Sequence, residues 1–285
     1  MRIVLGDYPH TRVLRDRTIP LDGAEFVESK PLYGAFARMV RNLEFDVCEM
    51  ALATYLQARD AGVPITLLPV VMIGGTHHGA LTRLPDGPDL APEKLVGKRV
   101  GVRSYSQTTG LWVRGILREE YGIESADVTW VTTEEPHVAS YRSPANVVRS
   151  DAGSVAELVK THQVDAAVLG PRAVDGQGRG LIPLIRNAEA AGLAWIDRHR
   201  TIPVNHVVVV RNDVLDAAPS VYRALERAIA VTAAERDDSP AGRAVAAGWS
   251  EPFAEALRIA GQYAMEQELI RSPVDVDALE FVAAS

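Results

Sequence analysis

A histidine stands at the entrance of a valine run in the segment TIPVNHVVVVRND, residues 201–213. Four consecutive valines followed by Arg211, Asn212 and Asp213 are typical of a buried strand that ends in polar turn residues. His206 could be a core histidine with satisfied hydrogen bonds, or it could give and take a proton in a functional site. The segment alone leaves both alternatives open.

An acidic residue lies near the end of a second apolar segment, FDVCEMAL, residues 45–52. Glu49, held among apolar neighbours, would have a raised pKa and could act as a general acid or base. The alternative is an ion pair with a lysine or arginine. The adjacent Cys48 is expected to be a small packed residue rather than a nucleophile, because no histidine adjoins it in the sequence. It is the only cysteine, which excludes an intramolecular disulfide.

Two further segments, GDYPHTR (residues 6–12) and GGTHHGAL (residues 74–81), carry side chains suited to binding or proton transfer. Arg12 could hold a carboxylate through its guanidinium, or it could be a solvated turn residue. Neighbouring side chains in an extended segment point to opposite faces. His77 and His78 are therefore not expected to bind one metal ion together, and no metal site is predicted.

A polar stretch, RSYSQTTG at residues 103–110, precedes a strongly predicted helix. Free backbone N–H groups at a helix start, together with several hydroxyls, suit an anion. Ordinary capping of the helix, for which Ser106 is well placed, is the alternative. A strand that ends in LGPR, residues 169–172, adds Arg172 as a second candidate carboxylate anchor.

The elements that must position these residues alternate along the chain. Short apolar strands are followed by amphipathic helices from end to end, which predicts an α/β fold with mainly parallel sheets. The helix over 106–122 is the strongest, since its apolar residues recur on one face and Gly122 provides a stop. Residues 136–153 read as an irregular loop.

The overall composition restricts the class of protein. With 285 residues, 47% hydrophobic and 24% charged, the chain is expected to be globular rather than disordered. A net charge of -7 without a basic stripe argues against nucleic acid or an anionic membrane as partner. No apolar stretch of about 18 residues predicts a membrane span. The N-terminus lacks the apolar core of a signal peptide, so a cytoplasmic protein is expected.

Four segments together resemble the 4,5-dihydroxyphthalate decarboxylase family: EFDVCEMALATYLQAR, LVGKRVGVRSYSQTTGLWVRGILREEYGI, VDAAVLGPR and IPVNHVVVVRNDV. The resemblance is collinear from Tyr8 to about Asp213. It implies a two-lobed type 2 periplasmic-binding-protein-like fold, in which each lobe is a mainly parallel sheet flanked by helices and the ligand lies in the cleft between them. Lobe one would comprise residues 1–88 and 204–285, and the inserted lobe two residues 89–203.

The same resemblance implies a decarboxylase that acts on a hydroxylated aromatic carboxylate without a cofactor. The enzyme would protonate the ring carbon that bears the carboxylate, and carbon dioxide would then leave. His206, in the pattern P-x-x-H-x-V-V, would face the cleft and handle a proton, with His78 as the other candidate and Glu49 as their partner. The implied substrate-binding residues are Tyr8, Arg12, Ser104, Tyr105, Thr108, Thr109 and Arg172.

Two other functions use the same fold. One is the solute-binding protein of an ABC transporter, against which the expected lack of a signal peptide counts. The other is a lyase similar to those of the futalosine route to menaquinone. Fold alone does not separate them. The sequence also leaves open the exact substrate and whether the protein forms a homo-oligomer.

Overall fold

The computed structural model describes residues 1–87, 90–170, 176 and 178–279. In chain order its strands are β1 (Arg2–Val4), β2 (Glu25–Phe26), β3 (Val47–Ala51), β4 (Ile65–Gly74), β5 (Leu81–Arg83), β6 (Arg99–Val102), β7 (Thr129–Thr132), β8 (Val147–Arg149), β9 (Ala166–Val168), β10 (Ile182–Pro183), β11 (Val204–Arg211) and β12 (Ala246–Ala247). The helices are α1 (Pro9–Arg15), α2 (Tyr33–Asn42), α3 (Leu52–Asp60), α4 (Thr108–Tyr121), α5 (Val155–Lys160), α6 (Ala188–His199), α7 (Ala218–Val231), α8 (Pro240–Ala244) and α9 (Glu251–Glu266). The predicted α/β class is confirmed.

The strands form two sheets, which define the two lobes. The sheet of lobe one has the order β12-β4-β11-β3-β1-β2, and the sheet of lobe two has the order β10-β5-β9-β6-β7-β8. Both sheets are mixed. In lobe one, β1 is parallel to β2 and β3, whereas β11 is antiparallel to β3 and β4. In lobe two, β6 to β9 are joined in parallel, and β5 is antiparallel to β9 and β10.

The chain changes sheets earlier than the sequence-based division at residue 88. Strand β5 already pairs with β9 and β10 of lobe two, so the crossing lies between Gly74 and Leu81. Strand β11, which begins at Val204, lies in the sheet of lobe one. The C-terminal helix α9 touches both lobes, since it contacts α3 and β11 of lobe one as well as α4 of lobe two. It packs on α4, and a Cβ added at Gly115 would lie 2.0 Å from the Tyr263 ring.

The local elements agree with the sequence at the end of α4 and differ from it at three other places. Helix α4 ends at Gly122, whose φ of 67° is left-handed, as the sequence suggests. It starts after Gln107, however, and Ser106 does not cap it, because its hydroxyl bonds to Ser104 instead. Helix α1 forms over the segment in which Arg12 could have been a turn residue, with Pro9 at its first position. Strand β8 lies inside the stretch 136–153 that was expected to be irregular.

The valine run of β11 forms the centre of the first sheet. Val207, Val208, Val209 and Val210 are each 0% exposed, because β3 and β4 flank the strand and helices cover both faces. Burial on this scale fixes the strand rigidly, which makes it a suitable support for a catalytic side chain at its entrance. Among the described helices, none combines the length and the apolar character needed to cross a bilayer.

Candidate functional site

A buried carboxylate and a histidine form the centre of the site. The His206 Nδ1 atom lies 2.6 Å from Glu49 Oε1, and Glu49 is completely buried while the His206 side chain is 21% exposed. In the tautomer with its hydrogen on Nδ1, His206 donates this bond and Glu49 accepts it. The Nε2 atom is then the one that can exchange a proton with a ligand.

Strand pairing explains why these two residues meet although 157 positions separate them. In the antiparallel register of β3 and β11, Val208 is opposite Glu49 and His206 is opposite Ala51. Residues two apart on a strand point to the same face, and diagonal neighbours across two strands are within reach of long side chains. Glu49 and His206 therefore share one face, and Cys48, one position earlier, points to the other.

Two more donors converge on Glu49 from the loop after β1. The Gly6 backbone N–H donates to Oε2 at 2.7 Å, and the Tyr8 hydroxyl donates to Oε1 at 2.8 Å. The Tyr8 ring folds over Gly6 so closely that a Cβ at residue 6 would lie 2.4 Å from the ring. His10 stacks on the Tyr8 ring, with ring centroids 5.1 Å apart. Burial lowers the pKa of His10 to about 4, so it is neutral at neutral pH.

Lobe two reaches the site through the loop that follows β7. His137 is 8% exposed, and its Nδ1 atom lies 2.8 Å from the hydroxyl of Thr54 on α3. Its ring contacts Phe36 edge-on, with centroids 5.8 Å apart, and Phe36 makes a similar contact to His206 at 5.3 Å. Arg41 of α2 donates to the backbone carbonyls of residues 136 and 137. The two lobes thus meet beside the Glu49–His206 pair.

The starts of two helices also meet here. The Thr108 hydroxyl, at the start of α4, accepts a hydrogen bond of 3.0 Å from the Ala53 N–H, at the start of α3. Helix α3 begins directly after β3, which carries Glu49. Thr109 is 5% exposed, and Ser104 is buried with its hydroxyl 3.1 Å from that of Ser106. The positive ends of α3 and α4 therefore lie together at the boundary between the lobes.

The paired histidines are placed apart from Glu49. His78 is 1% exposed, and its Nε2 atom lies 3.2 Å from Glu120 of α4, which also binds Arg198. His77 stacks on Trp112 with the ring planes 2° apart, and burial lowers its pKa to about 4 against the opposing effect of Asn205. The structure joins His206, not His78, to Glu49. A shared proton-transfer role for His78 stays a prediction without a contact to support it.

Two predicted binding residues, Arg12 and Tyr105, also lie outside the Glu49 group. Arg12 pairs with Asp7 at 2.7 Å, and its side chain is 61% exposed, which matches the alternative of a solvated arginine. The Tyr105 hydroxyl bonds to Ser125 and to the carbonyl of Gln267, away from the start of α4. Arg172 lies outside the described residues.

A cavity adjoins the predicted site. It has a volume of about 340 Å³, is bordered by Gly6 and Tyr8, and is also lined by Ser29, Lys30 and Leu32. That size lies within the range of small-molecule sites, roughly 300–1,000 Å³. In the ranges that the structure describes, no group of three or more His, Cys, Asp or Glu side chains could hold a metal ion.

Sequence reasoning found Glu49, His206 and Tyr8, but it missed Phe36, Thr54 and His137. Phe36 and Thr54 belong to helices and have no distinctive pattern. His137 lies alone in a segment without periodicity, and only its reach across the boundary between the lobes distinguishes it.

Two named decarboxylases are similar to this chain in sequence. The 4,5-dihydroxyphthalate decarboxylase of Pseudomonas putida is 30% identical over 209 residues, covering 68% of this chain and 80% of that protein. The chain belongs to the 4,5-dihydroxyphthalate decarboxylase family. The family member from Comamonas testosteroni is 29% identical over 280 residues, covering 92% of this chain and 84% of its relative. No protein-family model matches the chain.

Solved structures outside the decarboxylase family show the fold. The periplasmic aliphatic sulphonate binding protein SsuA from Escherichia coli superposes with a TM-score of 0.64 at 13% identity, covering 99% of this chain and 92% of that one. The desulfurization enzyme DSZB superposes with a TM-score of 0.60 at 14% identity, covering 98% and 95%. The predicted periplasmic-binding-protein-like fold of this family member is confirmed.

Proposed function

We propose that the protein is a carboxy-lyase that removes carbon dioxide from a hydroxylated aromatic acid resembling 4,5-dihydroxyphthalate. The names of both relatives support the reaction and the substrate class. The observation that carries the proposal is the 2.6 Å bond between buried Glu49 and His206, whose Nε2 atom remains for chemistry. Sulphonate-binding proteins share only the fold at 13% identity, so they give no separate argument for a transport role.

The proposed reaction needs one proton at one ring carbon. Protonated His206 donates from Nε2 to the carbon that bears the carboxylate, which forms a C–H bond and a dienone-like intermediate. The bond to the carboxylate then breaks, its electron pair returns to the ring, and carbon dioxide leaves. His206 regains a proton from solvent. Glu49 holds the imidazole by Nδ1 and offsets its positive charge, and the route uses no cofactor because the ring itself takes up charge.

Glu49 in turn is held in place by its other two donors. Gly6 and Tyr8 fix both carboxylate oxygens, so the imidazole can take only one orientation. Such fixed partners avoid reorganisation when charge appears on the histidine. The adjoining starts of α3 and α4 offer a positive environment for a carboxylate of the substrate.

The direct test is release of carbon dioxide from 4,5-dihydroxyphthalate by the purified protein and two variants. His206→Asn should lower kcat by about 10²–10⁴-fold, the usual contribution of a positioned acid. Glu49→Gln should also lower kcat strongly, because an amide group cannot offset the charge of the imidazolium. The exposed His162, replaced by Asn, serves as the control and should retain full activity.

Two results would contradict the proposal. Near-normal turnover by His206→Asn would show that another group supplies the proton. Recovery of the compound unchanged, after clear thermal stabilisation of the wild-type protein, would instead make this family member a binding protein.

A further inference from the structure

His137 is a second imidazole beside the site, and it comes from the opposite lobe. Its ring and that of His206 contact the same phenyl group, Phe36, both edge-on. Because lobe two supplies one histidine and lobe one the other, a ligand bound in the cleft between them can touch both. None of the mechanism above uses His137.

The hydrogen bonds of His137 leave one ring atom available. Its Nδ1 atom is held by the Thr54 hydroxyl at 2.8 Å, and Nε2 has no hydrogen-bond partner among the residues that the structure describes. Thr54 is completely buried and lies in the first turn of α3, so the ring is fixed from a rigid helix. The bond therefore decides which way Nε2 points.

The imidazole of His137 is neutral at neutral pH. Burial, together with the positive charges of Arg103 and Arg41, lowers its pKa to about 4. A neutral imidazole has one nitrogen with a hydrogen and one with a free lone pair. When Nδ1–H donates to the Thr54 oxygen, Nε2 is a hydrogen-bond acceptor.

Several polar side chains that lobe two offers near the boundary are already engaged, although Gln107 Oε1 at the start of α4 has no partner among the described residues. Thr108 accepts from Ala53, the Ser104 hydroxyl bonds to Ser106, and Arg103 pairs with Glu134 at 2.6 Å. His137 keeps a polar atom without a partner, and the Arg41 guanidinium holds its segment against lobe one by donating to two backbone carbonyls. The segment is thus held in place while the Nε2 atom of His137 stays available as an acceptor.

Resting on the proposed function, we propose that His137 recognises the ring hydroxyl of the substrate, with Nε2 accepting the O–H hydrogen bond. Protonation of the ring withdraws electrons from a hydroxyl in conjugation with the reacting carbon, and its hydrogen becomes more acidic as the dienone forms. The hydrogen shifts toward Nε2 at that point and returns when carbon dioxide leaves and the ring becomes aromatic again. Thr54 acts as a positioning residue through Nδ1.

The test compares the binding of 4,5-dihydroxyphthalate and phthalate, which share the two carboxylates and differ only in the hydroxyls. Calorimetry in the His206→Asn background keeps both compounds unreacted. Adding His137→Asn leaves a polar atom near the Nδ1 position for Thr54 but removes Nε2. The preference for 4,5-dihydroxyphthalate should fall about tenfold, which corresponds to about 1.4 kcal/mol, while phthalate affinity stays within about twofold. Adding His137→Gln instead, which places an amide near Nε2, should restore part of the preference.

Two controls separate recognition of the hydroxyl from closure of the lobes. Thr54→Val should reduce the preference less than His137→Asn, and Thr66→Val, at an exposed threonine bond on β4, should change neither affinity. An unchanged preference in His137→Asn, or equal weakening of both compounds, would overturn the inference and leave His137 a purely structural contact.

The inference and the proposed function can fail separately. Carbon dioxide release by the wild-type protein together with an unchanged preference would refute only the role of His137. A lost preference without any carbon dioxide release would refute the decarboxylase and leave the hydroxyl recognition standing. Absence of binding by both compounds would refute both.

Discussion

Replacing Gly6 with alanine tests whether the position of Tyr8 controls the site. The added Cβ would lie 2.4–2.5 Å from the outer atoms of the Tyr8 ring, including its hydroxyl oxygen. The contact is with a side chain rather than with backbone, so the ring can swing away and the fold survives. The Gly6 N–H, which binds Glu49, is not altered by the substitution. The change therefore acts on one hydrogen bond.

The magnitude follows from the distances. Ordinary contact requires the tip of the ring to retreat by about 1 Å, which carries the Tyr8 hydroxyl from 2.8 Å to beyond hydrogen-bond range of Glu49. A hydrogen bond to a charged group contributes about 1.5–3 kcal/mol. Alanine also restricts the unfolded chain more than glycine does, which stabilises the folded protein by about 0.4–1 kcal/mol. We expect Gly6→Ala to lower the free energy of unfolding by about 1–2 kcal/mol and to lower kcat together with it.

Chemical denaturation of four proteins measures this: the wild type, Gly6→Ala, Tyr8→Phe and the double variant. Both single changes remove the same hydrogen bond, so their losses in free energy of unfolding should not add. The double variant should lose at least about 1 kcal/mol less than the sum of the two single losses. Gly34→Ala is the matched control, since its Cβ would meet only the Ser29 hydroxyl at 3.9 Å in helix α2, and it should stabilise slightly. Strict additivity, or a Gly6→Ala protein with wild-type activity, would refute the reasoning.

Two further predictions concern buried titratable groups. Burial, with the neighbouring charge of Glu49, raises the pKa of the Cys48 thiol well above its usual value. A disulfide reagent at pH 8 should therefore label the unfolded chain and leave the native protein unlabelled. Rapid labelling of the native protein would contradict this. Burial lowers the pKa of His77 from 6.5 to about 4. The unfolded chain therefore binds a proton at this residue between pH 6.5 and 4 that the folded protein does not, and stability falls as the pH drops through that window, by up to about 3 kcal/mol. His77→Phe, which keeps the stack on Trp112, should flatten the fall, whereas His162→Asn should not; equal slopes in all three proteins would refute it.

The sequence predicted those parts of the fold that depend on local patterns. The apolar face of α4 and the glycine after it required this helix, and the valine run required a buried strand. Local patterns failed where long-range packing decided the outcome. Strand β5 belongs to lobe two because β9 and β10 flank it, and no feature of its three residues reveals this. Helix α9 lies on α4 because Tyr263 fits the space over Gly115.

The same division holds for the candidate site. Glu49 and His206 could be singled out because a polar residue inside or beside a buried strand requires a partner or a function. Arg12 also follows a predicted strand in the sequence, but its side chain pairs with Asp7, five residues away, and lies at the surface. His78 was the other candidate for proton transfer in the sequence, and the pairing of β3 with β11 places Glu49 beside His206 and not beside His78.

By itself, then, the sequence determined the elements, the family and the residues most able to carry a proton, since these depend on residue types and on short spacings. Only the tertiary structure decided which of these residues meet. Strand register sets the distance between Glu49 and His206, and the approach of two lobes sets the position of His137 beside Phe36. Both depend on contacts between segments roughly 100 residues or more apart. No local pattern encodes such contacts, because many pairings of strands and helices are locally equivalent and side-chain packing selects among them.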